Sequence, residues 1–228
     1  MILAIETSDV LCSIAFREEE RTVIEYNLEI PMQHASYVGR FVNEGLKFIS
    51  ENALHQNRDK PEIDLVCAAA GPGSFTGLRI GLSFAKGFCL GRNIPLTAVS
   101  NHQVLAAQSS VLSGKVYTII EARRNEVYLS ENEFTPEGFP LSKAHQIVRK
   151  DKLAQAAGPG SRIAGAANLN LEKEIIEEFV TNNIDYLADR PYSAGLLAKL
   201  GSQKMALFGE DKQDEIEPLY IRPFAGVL

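Results

Sequence analysis

A chain of 228 residues, at roughly 150 residues per domain, holds one large domain or two small lobes. Its 45% apolar and 23% charged residues, with 17 Gly and 10 Pro, match soluble globular proteins and exclude disordered, collagen-like and coiled-coil classes. Lys plus Arg number 23 against 29 Asp plus Glu, and the net charge of −6 has the wrong sign for a protein that binds nucleic acid unaided by neutralising phosphates, so any RNA it serves is expected to be held by a partner.

Residues 2 to 5 (ILAI), 11 to 16 (LCSIAF) and 22 to 30 (TVIEYNLEI) are β-prone runs joined by short polar links, which predicts an antiparallel meander with the charged REEER as a hairpin tip. After Pro31, the residues Ala35, Val38, Phe41, Val42, Leu46 and Ile49 recur at helical spacing up to the polar stretch HQNRDKPE. The near-continuous apolar run IDLVCAAA, 63 to 70, predicts a strand covered on both faces. A glycine turn, GPGSFTG, leads into a second helix through about Arg92, and IPLTAV (94 to 99) supplies another buried strand. This βββαβαβ order is that of the ribonuclease H-like fold, the unit duplicated in actin-like and sugar-kinase-like ATPases.

The second half repeats the order weakly, with VYTIIEA (116 to 122), the link RRN, EVYLSENEF (126 to 134) and a short strand at about 145 to 149. We therefore expect an α/β protein of two lobes: 1–100, and a smaller, degenerate 101–190. A helix at about 191–209, started by Pro191 and Ser193, packs back on the first lobe, and 210–228 forms an extended tail. Each lobe's first strand ends in an acid, Glu6 and Glu121.

No stretch reaches the ~18 uncharged apolar residues of a membrane span, and Met1 runs straight into the first strand, so the expected location is the cytoplasm. Cys12, Cys67 and Cys89 sit far apart in apolar runs and read as buried small hydrophobes. The four histidines fall in no metal-ligand spacing, and no metal site or cofactor of the chain's own is expected.

The strongest local signal is AAAGPGSFTGLRIGLSFAKG, residues 68 to 87. Gly71, Pro72 and Gly73 force a turn, Ser74 or Thr76 can cap the helix that follows, and a helix start behind glycines can hold an anion. Glu6, Thr7, Ser8, Gly71, Gly73 and Ser74 are thus a candidate nucleotide or anion cleft. The P-loop lysine is missing and Thr76 stands where GxGxxG needs its third glycine, which favours a structural turn. Within the helix, Gly77, Gly81 and Ala85 mark one side, while Ser83, Gly87 and Gly91 mark another. Two glycine-bearing rows, each glycine costing about 0.5 to 1 kcal/mol against Ala, suggest two close packings, one on the sheet and one on a helix outside the chain; the pattern alone equally fits a reading in which all of these positions are internal core. Ser74 has no nucleophile-elbow context, Arg123 and Arg124 read as a solvated hairpin tip or a ligand for phosphate or carboxylate, and His34 reads as a capping or surface residue.

At GPGSFTGLRIGLSFAKG the chain closely resembles the TsaB (YeaZ) family of tRNA threonylcarbamoyladenosine biosynthesis proteins, paralogues of the TsaD/Kae1 enzymes. ILAIETS, His34, IPLTAVS, EARRNEVY and EPLYIR match further family segments in order, although the family carries Asp at the positions of Glu6 and Glu121. The resemblance implies a two-lobed actin-like ATPase (ASKHA) fold and a non-catalytic scaffold that binds and activates TsaD. TsaD attaches a threonylcarbamoyl group to the adenosine next to the anticodon of ANN-decoding tRNAs. TsaE is the implied third component, ATP and metal belong to the partner enzymes, tRNA is met only through the complex, and a homodimer forms in isolation. The implied contact is made by the first lobe's two helices, at Tyr37, Val38, Phe41, Val42, Leu78, Arg79, Gly81, Leu82, Ala85 and Phe88. TsaD holds metal with two histidines four residues apart; here His102 is followed by alanine at 106. The rival readings are an autonomous ATPase or small-molecule kinase of the same fold and, below it, a peptidase.

Overall fold

The computed structural model describes residues 1–30, 32–52, 62–109 and 115–222, so the predicted roles of Pro31 and of most of HQNRDKPE lie outside the described residues. The chain divides into two compact units, Met1–Ser100 with Tyr192–Pro218, and Asn101–Pro191 with the segment from Leu219 onward.

In unit 1, β1 (Ile2–Glu6), β2 (Leu11–Glu18) and β3 (Arg21–Glu29) form the antiparallel meander. Strands β4 (Leu65–Gly71) and β5 (Leu96–Ser100) add in parallel on the other side of β1, giving the order β3-β2-β1-β4-β5. The crossovers are α1 (His34–Glu51) and α2 (Phe75–Leu90). Strand β4 is buried on both faces because successive side chains alternate between two covers. Val66 and Ala68 join Leu3, Ile5, Val38, Val42, Leu82 and Phe88 in one core. Between them Cys67 turns to α6 (Ala194–Phe208), where its Sγ donates to the carbonyl of Leu197 at 3.2 Å and Gly201 approaches so closely that a Cβ there would lie 2.5 Å from the sulfur. The start of α6 is fixed by Glu25 of β3, whose Oε1 accepts from Ser193 Oγ (2.9 Å) and Gly195 N (3.2 Å), a carboxylate at a positive helix end.

Unit 2 repeats the sheet in full: β6 (Lys115–Glu121), β7 (Glu126–Phe134) and β8 (Pro140–Arg149) are antiparallel, while β9 (Arg162–Ala166) and β10 (Asp185–Arg190) run parallel beyond β6. The degeneracy lies in the helices, since α4 (Leu153–Ala157) and α5 (Lys173–Thr181) have 5 and 9 residues against 18 and 16 in unit 1. Two details differ from the sequence reading. Strand β8 has ten residues instead of a short run, and α3 (Asn101–Ala107) forms where no element was expected. Helix α3 follows β5 yet belongs to unit 2, and α6 follows β10 yet belongs to unit 1. Among the described residues no helix is long and apolar enough to cross a membrane.

Candidate functional site

The end of β1, the link into β2 and the start of α2 come together at the glycine turn. The Ser74 amide donates to the Ser8 carbonyl at 2.7 Å, Thr7 Oγ1 donates to the Gly77 carbonyl at 2.8 Å, and Ser74 Oγ caps α2 by accepting from Gly77 N at 3.2 Å. The glycines serve this backbone approach. A Cβ on Gly77 would lie 1.9 Å from the Thr7 carbonyl oxygen, one on Gly81 2.3 Å from Thr7 Oγ1, and one on Gly73 2.6 Å from the Ser8 carbonyl oxygen. The side of the turn that faces β1 is thus closed by Thr7 and Ser8, while Gly73, Ser74 and Thr76 at the start of α2 stay exposed.

Glu6 sits behind this turn at 1% exposure, held by the Ser8 amide on Oε1, with Oε2 unpartnered. Burial pushes its carboxyl up to about 7, because desolvation penalises the charged form more than the Ser8 hydrogen bonds favour it. Burial likewise pushes the Cys12 thiol up to about 12, with the Glu6 charge adding to the rise, and raises Cys67, so neither is a reactive thiolate. Among the described residues no three His, Cys, Asp or Glu side chains converge as metal donors. Glu6 is the one acid enclosed beside the turn among the described residues.

Helices α1 and α2 pack together and resolve the two-sided glycine pattern. The Gly77, Gly81, Ala85 row faces inward, while Ser83 and Gly87 are exposed and a Cβ on Gly87 would meet nothing within 4 Å. The positions read as a partner interface differ in exposure. Val38, Phe41, Val42, Leu78, Gly81, Leu82, Ala85 and Phe88 are all buried within unit 1, and only Tyr37 and Arg79 of the ten positions retain surface. A bulky residue at Gly81 or Ala85 therefore strikes the core. The outward face carries Phe48 and Phe75 at 48% and 41% exposure, with Arg79 stacked 3.8 Å over the Phe75 ring. Helical spacing alone could not say which small-residue row faced the sheet.

His34 is buried, and α1 begins at Gln33 without a side-chain cap, so its predicted capping or surface role is corrected. In unit 2, Glu121 is exposed and pairs with Lys150 Nζ at 2.8 Å. The face under α3 carries a polar network that the sequence did not signal. His102 Nδ1 lies 2.8 Å from Thr118 Oγ1, which accepts from Asn132 Nδ2 (2.9 Å), and the His102 ring stacks on His145 at 5.3 Å. Desolvation lowers the pKa of both histidines, His102 well below the ordinary value, with the His145 charge adding to the shift there.

Two sheets of one strand order, each with helical crossovers, give an α/β protein with the actin-like ATPase (ASKHA) fold. Residues 37–160, more than half of the chain, match the family model described as "TsaD: tRNA N6-adenosine threonylcarbamoyltransferase", and the chain belongs to that family. It is similar to the tRNA threonylcarbamoyladenosine biosynthesis protein TsaB of Bacillus subtilis (strain 168), at 34% identity over 129 residues. That alignment covers 56% of this chain and only about half, 52%, of the relative's length. Among solved structures, YeaZ from Pseudomonas aeruginosa superposes with a TM-score of 0.72 at 22% identity, covering 96% of this chain and 99% of that one. A ROK hexokinase from Thermus thermophilus shares the fold at a TM-score of 0.52 and 10% identity, covering 90% of this chain and 99% of that one.

Proposed function

We propose that this chain is a non-catalytic partner subunit that binds and activates TsaD in the transfer of a threonylcarbamoyl group to the adenosine next to the anticodon of ANN-decoding tRNAs. The observation that carries the reading is the outward surface of α1 and α2, where Ser83, Gly87, Phe48, Phe75 and Arg79 are exposed, Tyr37 is half-buried, and a Cβ on Gly87 would meet open space. A second helix can approach exposed small residues closely, and exposed aromatic rings on the same two helices supply apolar area to bury. The glycine turn supports the same reading from the other side, because its glycines are spent on the contacts of Thr7 and Ser8. In this reading TsaE completes the assembly, ATP and metal are used by the partner enzymes, tRNA is met through the complex, and the chain works in the cytoplasm. The same α1/α2 face makes a homodimer when TsaD is absent.

The test is threonylcarbamoyl transfer to tRNA by purified TsaD, TsaE and the donor-forming enzyme, with the wild-type chain or Gly87→Trp. The wild type restores transfer. Gly87→Trp, at an exposed position, keeps the wild-type circular dichroism, melts no lower than the wild type, and loses at least tenfold in activation. Full activation by Gly87→Trp, or robust ATP turnover by the chain alone, overturns the proposal.

A further inference from the structure

Four of the chain's twelve arginines surround one concavity of about 670 Å³ at the end of unit 2 where β6 turns into β7. Arg123 and Arg124 come from the turn, Arg149 from the end of β8, and Arg222 from the C-terminal segment, against the single lining carboxylate of Glu126. In a chain with a net charge of −6, this local excess of guanidinium is opposite in sign to the whole.

The framework holding the cluster is firm. Glu126 and Arg149 are register partners in the β7–β8 ladder, the Lys150 amide donates to the Asn125 carbonyl at 2.9 Å, and Arg222 is tied to Glu126 by an ion pair. Arg124 is held at φ +56°, a backbone region uncommon for a residue with a side chain. Arg149 spends its fork on Asp151, at 2.9 and 3.2 Å. Arg123 and Arg124 are exposed and have no carboxylate partner among the described residues. The turn thus presents two uncommitted guanidinium forks, while Arg149 and Arg222 of the same concavity are each paired with a carboxylate.

We infer that this concavity binds a ligand carrying two or more phosphate groups, taken through phosphate oxygens by the forks of Arg123 and Arg124. Guanidinium groups match the geometry of phosphate oxygens through paired N–H donors, which an ammonium group cannot copy. The volume exceeds what one phosphate fills and lies within the range of about 300 to 1,000 Å³ common for ligand sites. Two sources share this chemistry, a free polyphosphate and the backbone of an RNA. The inference stands on the arginine geometry and is independent of the subunit role proposed above.

Calorimetric titrations of the full chain at low salt with sodium tripolyphosphate and with a 17-nucleotide RNA stem–loop test it. At least one probe binds, and the one that does identifies the source. Arg123→Lys/Arg124→Lys weakens that probe at least fivefold and Arg123→Ala/Arg124→Ala at least twentyfold, with unchanged melting temperature because both side chains are exposed. Lys173→Ala, at an exposed cation on α5, leaves the affinity unchanged. Binding of neither probe overturns the inference. So does equal binding by the wild type and the Ala double variant, or equal weakening by Lys173→Ala, which marks diffuse attraction to surface charge.

Discussion

Glu6 closes β1 and Glu121 closes β6, so the two carboxyls occupy matching places in sheets of the same strand order. Glu6 is 1% exposed and is held by Ser8, whereas Glu121 reaches solvent and pairs with Lys150. The covers differ in step. Ile5 and Thr7 face α2, so Glu6 between them turns to the other face of the sheet, where its strand partner Ser13 meets the start of α6, while Glu121 shares the parity of Tyr117 and Ile119 and lies on the face of the short α4 and α5. A shared topology therefore fixes where an acid stands and leaves its charge state to the cover above it. Unit 1 has traded access at the strand end for packing, and unit 2 has kept an open, charged end.

The largest expected effect breaks that packing. Gly77→Ala sets a Cβ 1.9 Å from the Thr7 carbonyl oxygen, a backbone atom that cannot swing away, and should cost about 3 kcal/mol in urea unfolding. A loss under about 0.5 kcal/mol would mean that the turn does not lie against α2.

The two units should also respond to pH in opposite senses. Glu6 has a folded-state pKa of about 7 against 4.5 unfolded, so its contribution is fully present below about pH 4.5 and is lost progressively as pH rises to about 7. At about 1.4 kcal/mol per unit this amounts to about 3 kcal/mol as an upper figure, which Glu6→Gln should recover at pH 8 while flattening the slope between pH 5 and 7. His102 and His145 are depressed, so their contribution holds above about pH 6.5 and fades as pH falls below it. Hydrogen exchange, corrected for intrinsic rates, should show unit 1 opening more readily toward pH 8 and unit 2 toward pH 5. Parallel responses would remove the contrast.

The smallest effect sharpens the comparison within α2 itself. Gly87→Ala meets open space and should raise stability by about 0.5 to 1 kcal/mol, the helix-propensity gain alone, in the same urea assay. A loss there would place Gly87 inside unit 1 with Gly77 and Gly81.

Much of this was legible in the sequence because it is periodic. The β-prone and near-continuous apolar runs marked β1 to β7, and the spacing of Val38, Phe41, Val42 and Ile49 marked α1. Helix α3 escaped because NHQVLAA is too short to show a period, and β8 was cut short because its first half is only partly apolar. The glycine turn was recognisable as a turn, but its packing against Thr7 and Ser8 joins residues some seventy positions apart. The stacked histidines, 43 residues apart, and the arrival of Arg222 beside Glu126 are equally non-local, and no spacing rule reaches them.

The placement of α6 has a consequence for synthesis. Residues 1–100 leave the ribosome with all five strands of their sheet, but the face bearing Cys67 and Thr97 is closed by Leu197, Ala198 and Gly201, made about a hundred residues later. At about 5 to 20 residues per second that face stays bare for several seconds while unit 2 is translated. The nascent first half is thus a client for chaperones that hold apolar surface, and a release event before Tyr192 yields a sheet with no means of covering itself.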